Sequence, residues 1–284
     1  MTTLTDLATP KGAAAGPRLH IDGATIGYDH RVIARDLSVS IPDGSFTVIV
    51  GPNACGKSTL LRGLSRLVKP SAGQVVLDGA DINSFKTKEV ARRVGLLPQS
   101  AIAPDGITVA NLVARGRYPH QGFLRQWTEA DEQAVARAMD QMAVTDLSGR
   151  PVDELSGGQR QRVWVAMALA QHTGIMLLDE PTTFLDITHQ IELLELFTDL
   201  HHAGHTLVAV LHDLNHAARY GTHLIAMKDG HVVAEGTPEQ IVTAELVEDV
   251  FGLRCLVVPD PVAGTPQVVP LGRTRTARPE GKQA

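Results

Sequence analysis

The chain has 284 residues, 43 % of them hydrophobic, and a formal net charge of −5 at pH 7. That is enough for one large domain or two small ones with a substantial core, and the charge carries no nucleic-acid footprint, so nucleic acid is not an expected partner. Cys55 and Cys255 are the only cysteines, which excludes a disulfide framework and fits a reducing compartment.

Residues 163–178 form the longest apolar run, but Gln171 and His172 interrupt it and it is too short to cross a bilayer. The first residues lack the basic start and apolar middle of a secretion signal. The expectation is a soluble chain that reaches a membrane only through a partner.

Residues 1–17, rich in Thr, Ala, Gly and Pro, read as a disordered tail. Short β segments follow over 19–50, with turn signals at Asp29-His30 and Asp43-Gly44, and 75–77 before Asp78-Gly79 extends that set. The strand 48–50 runs into Gly51-Pro52-Asn53-Ala54-Cys55-Gly56-Lys57-Ser58-Thr59. Residues 58–67 then carry Leu60, Leu61, Leu64 and Leu67 at helical spacing. Strand, glycine loop and helix together point successive N–H groups and a helix N-terminus at phosphate. Gly51 and Gly56 permit the close backbone approach. Lys57 would reach the β- and γ-phosphates of a nucleoside triphosphate, and the Ser58 hydroxyl would ligate Mg²⁺. Cys55 leaves two readings open: a thiolate stabilised by the loop dipoles, or an inert small residue filling a tight turn.

Val94–Leu97 reads as another strand, and 107–147 are mostly helical in pattern, for example 130–142 with Ala134, Ala138 and Met142. Apolar strands return at Ile175–Leu178, 207–211 and 224–227, each after a helical stretch. The pattern predicts an α/β fold with a parallel sheet, interrupted by a helical subdomain at about 100–165. The domain is expected over 18–258. Residues 259–284, rich in Pro, Gly, Thr and Arg, read as a flexible tail in which Arg273, Arg275 and Arg278 are solvated.

Asp179 and Glu180 end the strand Ile175–Leu178. Ligands of open α/β sheets gather at the carboxyl ends of strands, and phosphoryl transfer needs a metal ligand and an oriented nucleophile. Asp179 is therefore expected in the Mg²⁺ shell and Glu180 as the group that polarises the attacking water. His212, at the end of 207–211, lies on the same edge and is expected to sense the γ-phosphate. His212 and His216 also have the i, i+4 spacing of a zinc-protease helix, but Asp213 stands where a Glu is required and His212 sits at a strand end.

Leu155-Ser156-Gly157-Gly158-Gln159 begins a further helix. Serine at the cap and glycines in the first turn present N–H donors and the positive end of the helix dipole to an anion. The sequence thus holds two phosphate-binding helix starts and one base, which hints at sharing between two chains.

These motifs resemble the ATP-binding cassette family over about residues 18–258: Tyr28, 51–58, Gln99, 155–159, Asp179-Glu180, Leu185-Asp186 and His212 occur in the family's order. The resemblance implies a P-loop NTPase (RecA-like) core, an N-terminal antiparallel β subdomain and an inserted helical subdomain. It implies ATP and Mg²⁺ as cofactors, hydrolysis involving Glu180, His212, Gln99 and Lys57, and Mg²⁺ held by Ser58, Gln99 and Asp179. Tyr28 would stack on adenine, residues 51–59 would cradle the phosphates, and Asp186 would link two sites. Ser156, Gly157, Gly158 and Gln159 would cap the ATP of a second copy in a head-to-tail dimer. Ala54 departs from the family's frequent glycine, a change the loop is expected to tolerate.

The resemblance also implies separate polytopic permease subunits docked after Gln99, a substrate-binding lipoprotein, and a peripheral position on the cytoplasmic face of the membrane. The segments 116–120, 182–187 and 212–215 look most like the ATPases of bacterial ferric-siderophore importers, with haem and vitamin B12 import ATPases as close alternatives. A DNA-repair or chromosome-organising ATPase would need a long coiled coil between Lys57 and Leu155, and that interval is too short. A translation-factor ATPase would usually carry two cassettes, and a non-hydrolysing adaptor would lack Glu180 or His212.

Overall fold

The computed structural model describes residues 17–28, 31–99, 102–122, 127–183 and 185–272. The first half comprises β1 (Leu19–Tyr28), β2 (Arg31–Ile41), β3 (Phe46–Val50), α1 (Lys57–Leu64), β4 (Ala72–Leu77), β5 (Ala80–Asp81), α2 (Thr87–Ala91) and β6 (Val94–Leu97). The helices α3 (Val109–Ala114), α4 (Glu129–Gln141) and α5 (Gly157–Ala170) follow, with a 3-10 segment at Arg115–His120. Next come β7 (Ile175–Leu178), α6 (Ile187–His202), β8 (Thr206–Val210), α7 (Leu214–Tyr220), β9 (His223–Lys228) and β10 (His231–Gly236). The last elements are α8 (Pro238–Ile241), α9 (Ala244–Phe251), β11 (Cys255–Pro259) and β12 (Pro266–Pro270).

The principal sheet has six strands in the order β10-β9-β3-β8-β7-β6, parallel throughout except for the β10 edge. Every residue of β3, β7 and β8 is buried, because both faces are covered; this is why they read as unbroken apolar runs. Alternation along β3 divides its side chains between two cores. Phe46, Val48 and Val50 join the core under α5, α6 and α7, while Ile49 joins the one under α1 and the second sheet. Phe46 meets Phe197 of α6 edge-on, with ring centres 6.2 Å apart.

The second sheet is antiparallel, order β2-β1-β4-β5. Its inward residues Ile21, Ile26, Leu37 and Val75 pack with Leu60, Leu61 and Leu64 of α1, so the helix that begins at the glycine loop is clamped between two sheets. Helices α3 and α4 pack on α5, which contacts the edge strand β6, and their buried side chains join the core that holds Phe46 and Val48. Capping explains where two of these helices start. Thr128 and Asp131 form a reciprocal capping box on α4, and Ser156 and Gln159 form one on α5.

The expectation of a flexible tail from 259 onward is corrected. β11 and β12 pair as an antiparallel hairpin through Pro259↔Pro266, and Cys255 and Val268 are buried. Asn215 of α7 mimics a strand edge: its Oδ1 accepts from Val268 N at 2.7 Å and its Nδ2 donates to Val268 O at 3.3 Å. Ordered structure therefore continues past 258 to Pro270. Residues 1–16 of the expected N-terminal tail, and Arg273, Arg275 and Arg278, lie outside the described residues.

Candidate functional site

The loop between β3 and α1 brings its backbone to the carboxyl edge of the parallel sheet. Gly56 takes φ 105° immediately before α1, a conformation that a side chain would strain. Ala54 has φ 63°, so the expected tolerance of Ala54 carries a cost: a left-handed non-glycine residue is disfavoured by roughly 1–2 kcal/mol. Lys57 is buried, and its Nζ donates to the carbonyls of Gly51 and Pro52, both at 2.8 Å. The ammonium is thus held inside the loop that it is expected to serve. Pro52 and Asn53 lie in the same loop, and Ser58 and Thr59 follow Lys57 in the first turn of α1.

Cys55 is buried, and a Cβ on Gly51 would lie 2.8 Å from its Sγ. Burial pushes the thiol up, against a smaller downward pull from Lys57. Of the two readings, the structure therefore favours the inert filler.

Ser58 Oγ donates to Asp179 Oδ1 at 2.8 Å. Burial of Asp179 pushes its carboxyl up, more than the Ser58 hydrogen bond and Arg62 pull it down. A buried carboxylate beside a hydroxyl is a donor set of hard oxygens, and a divalent cation would relieve the cost of its charge. These residues fit Mg²⁺.

Glu180, the residue after Asp179, has φ 52°. Left-handed backbone at a non-glycine residue is the kind of strain that gathers at functional sites. Its Oε2 accepts from Gln99 Nε2 at 2.6 Å and Thr183 Oγ1 at 3.2 Å, and lies 2.9 Å from His212 Nε2. Burial pushes the Glu180 carboxyl up, but the His212, Thr183 and Gln99 contacts together outweigh it and hold the group below the usual range. The arrangement keeps Glu180 ionised and fixes one oxygen, as a base that orients water requires. Gln99 follows β6, Glu180 follows β7 and His212 follows β8, so three neighbouring strand ends supply the group.

Asp213 does not complete a zinc site with His212 and His216. Its carboxylate caps α7, accepting from Asn215 N at 2.7 Å and His216 N at 2.9 Å.

Ser156 and Gly157 are exposed at the start of α5. Gln159 Oε1 accepts from Ser156 N at 3.2 Å and Ser156 Oγ accepts from Gln159 N at 3.3 Å, so Gln159 holds the loop in shape. Gly158 packs against the His189 ring, where a Cβ on Gly158 would come within 2.5 Å. His189 in turn is held by Asp186, the cap of α6, at 2.7 Å to Nδ1 and 2.9 Å to N. Asp186 therefore touches its own chain's 156–158 loop through His189. Tyr28 ends β1 and is 38 % exposed, and Arg62 Nη1 donates to its hydroxyl at 3.1 Å.

Sequence reading missed Thr183, His189 and Arg62. Thr183 lies three residues after Glu180, and Arg62 one helical turn after Ser58; that spacing was the only available signal.

A lysine held inside a glycine loop, next to a strand-end carboxylate that accepts a hydrogen bond from the serine after that lysine, defines a P-loop nucleoside triphosphatase. Residues 34–183 match the model of the ABC transporter family. The chain is 60 % identical over 258 residues to the ferric enterobactin transport ATP-binding protein FepC of Escherichia coli (strain K12), covering 90 % of this chain and 95 % of that protein. It is 49 % identical over 257 residues to the petrobactin import ATP-binding protein FpuD of Bacillus anthracis, covering 90 % and 94 %. A dimeric, post-hydrolysis structure of the ATP-binding cassette MJ0796, bound to ADP and Pi, superposes with a TM-score of 0.68 at 28 % identity, covering 77 % of this chain and 98 % of that one. The chain belongs to the ABC transporter family and is an ATP-binding subunit that hydrolyses ATP to drive transport.

Proposed function

We propose that this chain is the ATPase of a ferric-siderophore importer, working as a head-to-tail pair on separate permease subunits. The observation that carries the paired arrangement is the imbalance inside one chain: two helix starts suited to phosphate, the buried one at Gly56 and the exposed one at Ser156, against one glutamate–histidine pair. Each P-loop site then borrows the 156–158 loop of the other copy. The names of the relatives at 49–60 % identity support ferric siderophores as cargo over haem or cobalamin. No described helix is long and apolar enough to cross a membrane. Attachment to the cytoplasmic face of the membrane would therefore run through the permease, with a binding lipoprotein delivering the cargo.

In this reading Lys57 leaves the Gly51 and Pro52 carbonyls to meet the β- and γ-phosphates. Ser58, Asp179 and Gln99 would hold Mg²⁺, which would offset the negative charge of the triphosphate. Glu180 orients the attacking water and accepts its proton, while His212 and Gln99 keep that carboxylate ionised and aimed. Tyr28 stacks on the base, and Asp186 acts through His189 on the loop offered to the partner.

Uptake by the chain reconstituted with its permease tests the cargo. ATP-dependent accumulation of labelled ferric siderophore, with no uptake of haem or cobalamin, is the expected result. Uptake of cobalamin or haem in place of the siderophore overturns the cargo assignment.

A further inference from the structure

The segment Arg115–His120 is fastened to the last turn of α5 at three points. Gly116 lies so close to the Met167 carbonyl that a Cβ would collide with it. Arg117 Nε donates to Asp131 Oδ1 at 2.9 Å, and its Nη1 donates to Ala170 O at 2.8 Å. His120 Nε2 lies 2.7 Å from Gln171 O. Arg117 and Asp131 are 7 % and 3 % exposed, and the other Asp131 oxygen accepts from Thr128 N and Oγ1 at 3.1 and 2.7 Å. Carbonyls that a helix end leaves without partners are thus taken up by this one segment. The guanidinium grips carboxylate and carbonyl from one plane, which a lysine cannot do.

The same segment is held from the opposite side. Arg92, which ends α2, donates from Nε to Pro119 O at 2.9 Å. Lys88 of α2 donates to Gln121 O at 2.8 Å and stands 4.7 Å over the Tyr118 ring. β6 begins directly after α2 and leads to Gln99, which holds Glu180. The segment therefore joins the unit that delivers Gln99 to the far end of the helix that begins with Gly157. That helix, 14 residues long, spans about 21 Å, and its continuous backbone hydrogen bonding carries a shift at one end to the other.

We infer that Arg117 is a positioning residue that sets the aim of α5, and through it the 156–158 loop presented to the second copy's ATP, relative to the chain's own Gln99. The inference rests on the head-to-tail reading. It makes the segment Arg115–His120 the strut through which one chain's two half-sites move together.

The test uses the full chain in a Glu180→Gln background, reading bound ATP per chain and ATP-driven dimerisation by light scattering. Arg117→Gln should bind one ATP per chain with affinity within about twofold of the parent. Its dimerisation should weaken by about tenfold, with Arg117→Lys between the two. A general structural defect would lower bound ATP and dimerisation together, whereas a positioning role lowers dimerisation alone. Parental dimerisation, or parallel loss of both readouts, in Arg117→Gln overturns the proposal. If Arg117→Gln does not fold, His120→Ala decides: a smaller selective loss supports the proposal and parental dimerisation overturns it. Gly157→Asp, at an exposed position with open space around its Cβ, tests the underlying reading separately. Dimerisation that survives Gly157→Asp sinks the head-to-tail arrangement, whatever Arg117 does.

Discussion

Glu180 and His212 meet through Oε2 and Nε2 at 2.9 Å, across the ends of two adjacent parallel strands. The contact joins the proposed base to the proposed γ-phosphate sensor. Glu180→Gln keeps the shape and removes the base. Turnover should fall by about 10²–10⁴ while ATP binding persists. Steady-state hydrolysis at the parental rate, measured alongside ATP affinity, contradicts the assignment.

The same contact sets a pH dependence. Burial pushes the Glu180 carboxyl up, and His212 is the foremost influence holding it down. His212→Ala should therefore raise that pKa. A base works ionised, so a raised pKa protonates it at higher pH, and the acid limb of the kcat/KM profile should move upward. A variant whose activity drops while the limb stays in place would show that His212 does not tune Glu180.

Lys57 donates from its ammonium to two loop carbonyls. Lys57→Ala should weaken ATP binding by roughly ten- to a hundredfold, the value of a charged hydrogen bond of about 1.5–3 kcal/mol. Unchanged affinity by titration calorimetry removes the phosphate-anchor role.

Asp131 is held down to about 2: burial raises it, but hydrogen bonds from Thr128 and Arg117 prevail. A depressed carboxylate stabilises the fold above its unfolded value near 3.8 and loses that contribution as pH falls through 2. The shift corresponds to about 2 kcal/mol. The stability gap between the parent and Asp131→Asn, followed by urea unfolding, should be constant above about pH 5 and shrink toward pH 2. A gap independent of pH contradicts the ionised pair.

Asn215 fastens the terminal hairpin to α7 with two hydrogen bonds. Asn215→Ala leaves Val268 N and O without that partner and should cost about 1–3 kcal/mol of stability. Parental unfolding midpoints would show that the hairpin is held by its apolar contacts alone.

How much of this was legible depended on whether the signal was local. β3, β7 and β8 were readable because burial on both faces writes an unbroken apolar run. The edge strand β10 alternates half-buried and exposed residues, and its pairing is set by β9, so its own sequence says little. The hairpin was misread because Pro259, Pro266, Pro270 and Gly264 have the composition of a linker, while its anchor Asn215 lies 53 residues from Val268. The phosphate loop and the Asp179-Glu180 pair carry their chemistry in contiguous residues. The left-handed backbone of Glu180, the Thr183 hydrogen bond and the His189 bridge from Asp186 to Gly158 are products of tertiary packing.

Association between two unlike variants tests the shared site most directly. Lys57→Ala retains the 156–158 loop but loses the phosphate anchor, and Gly157→Asp retains the anchor but blocks the loop. With both placed in a Glu180→Gln background and labelled with different fluorophores, the expected result is ATP-dependent energy transfer between unlike chains and none between like chains. Equal transfer in like and unlike mixtures, or none in either, would contradict a site built from the P-loop of one chain and Ser156–Gly158 of the other.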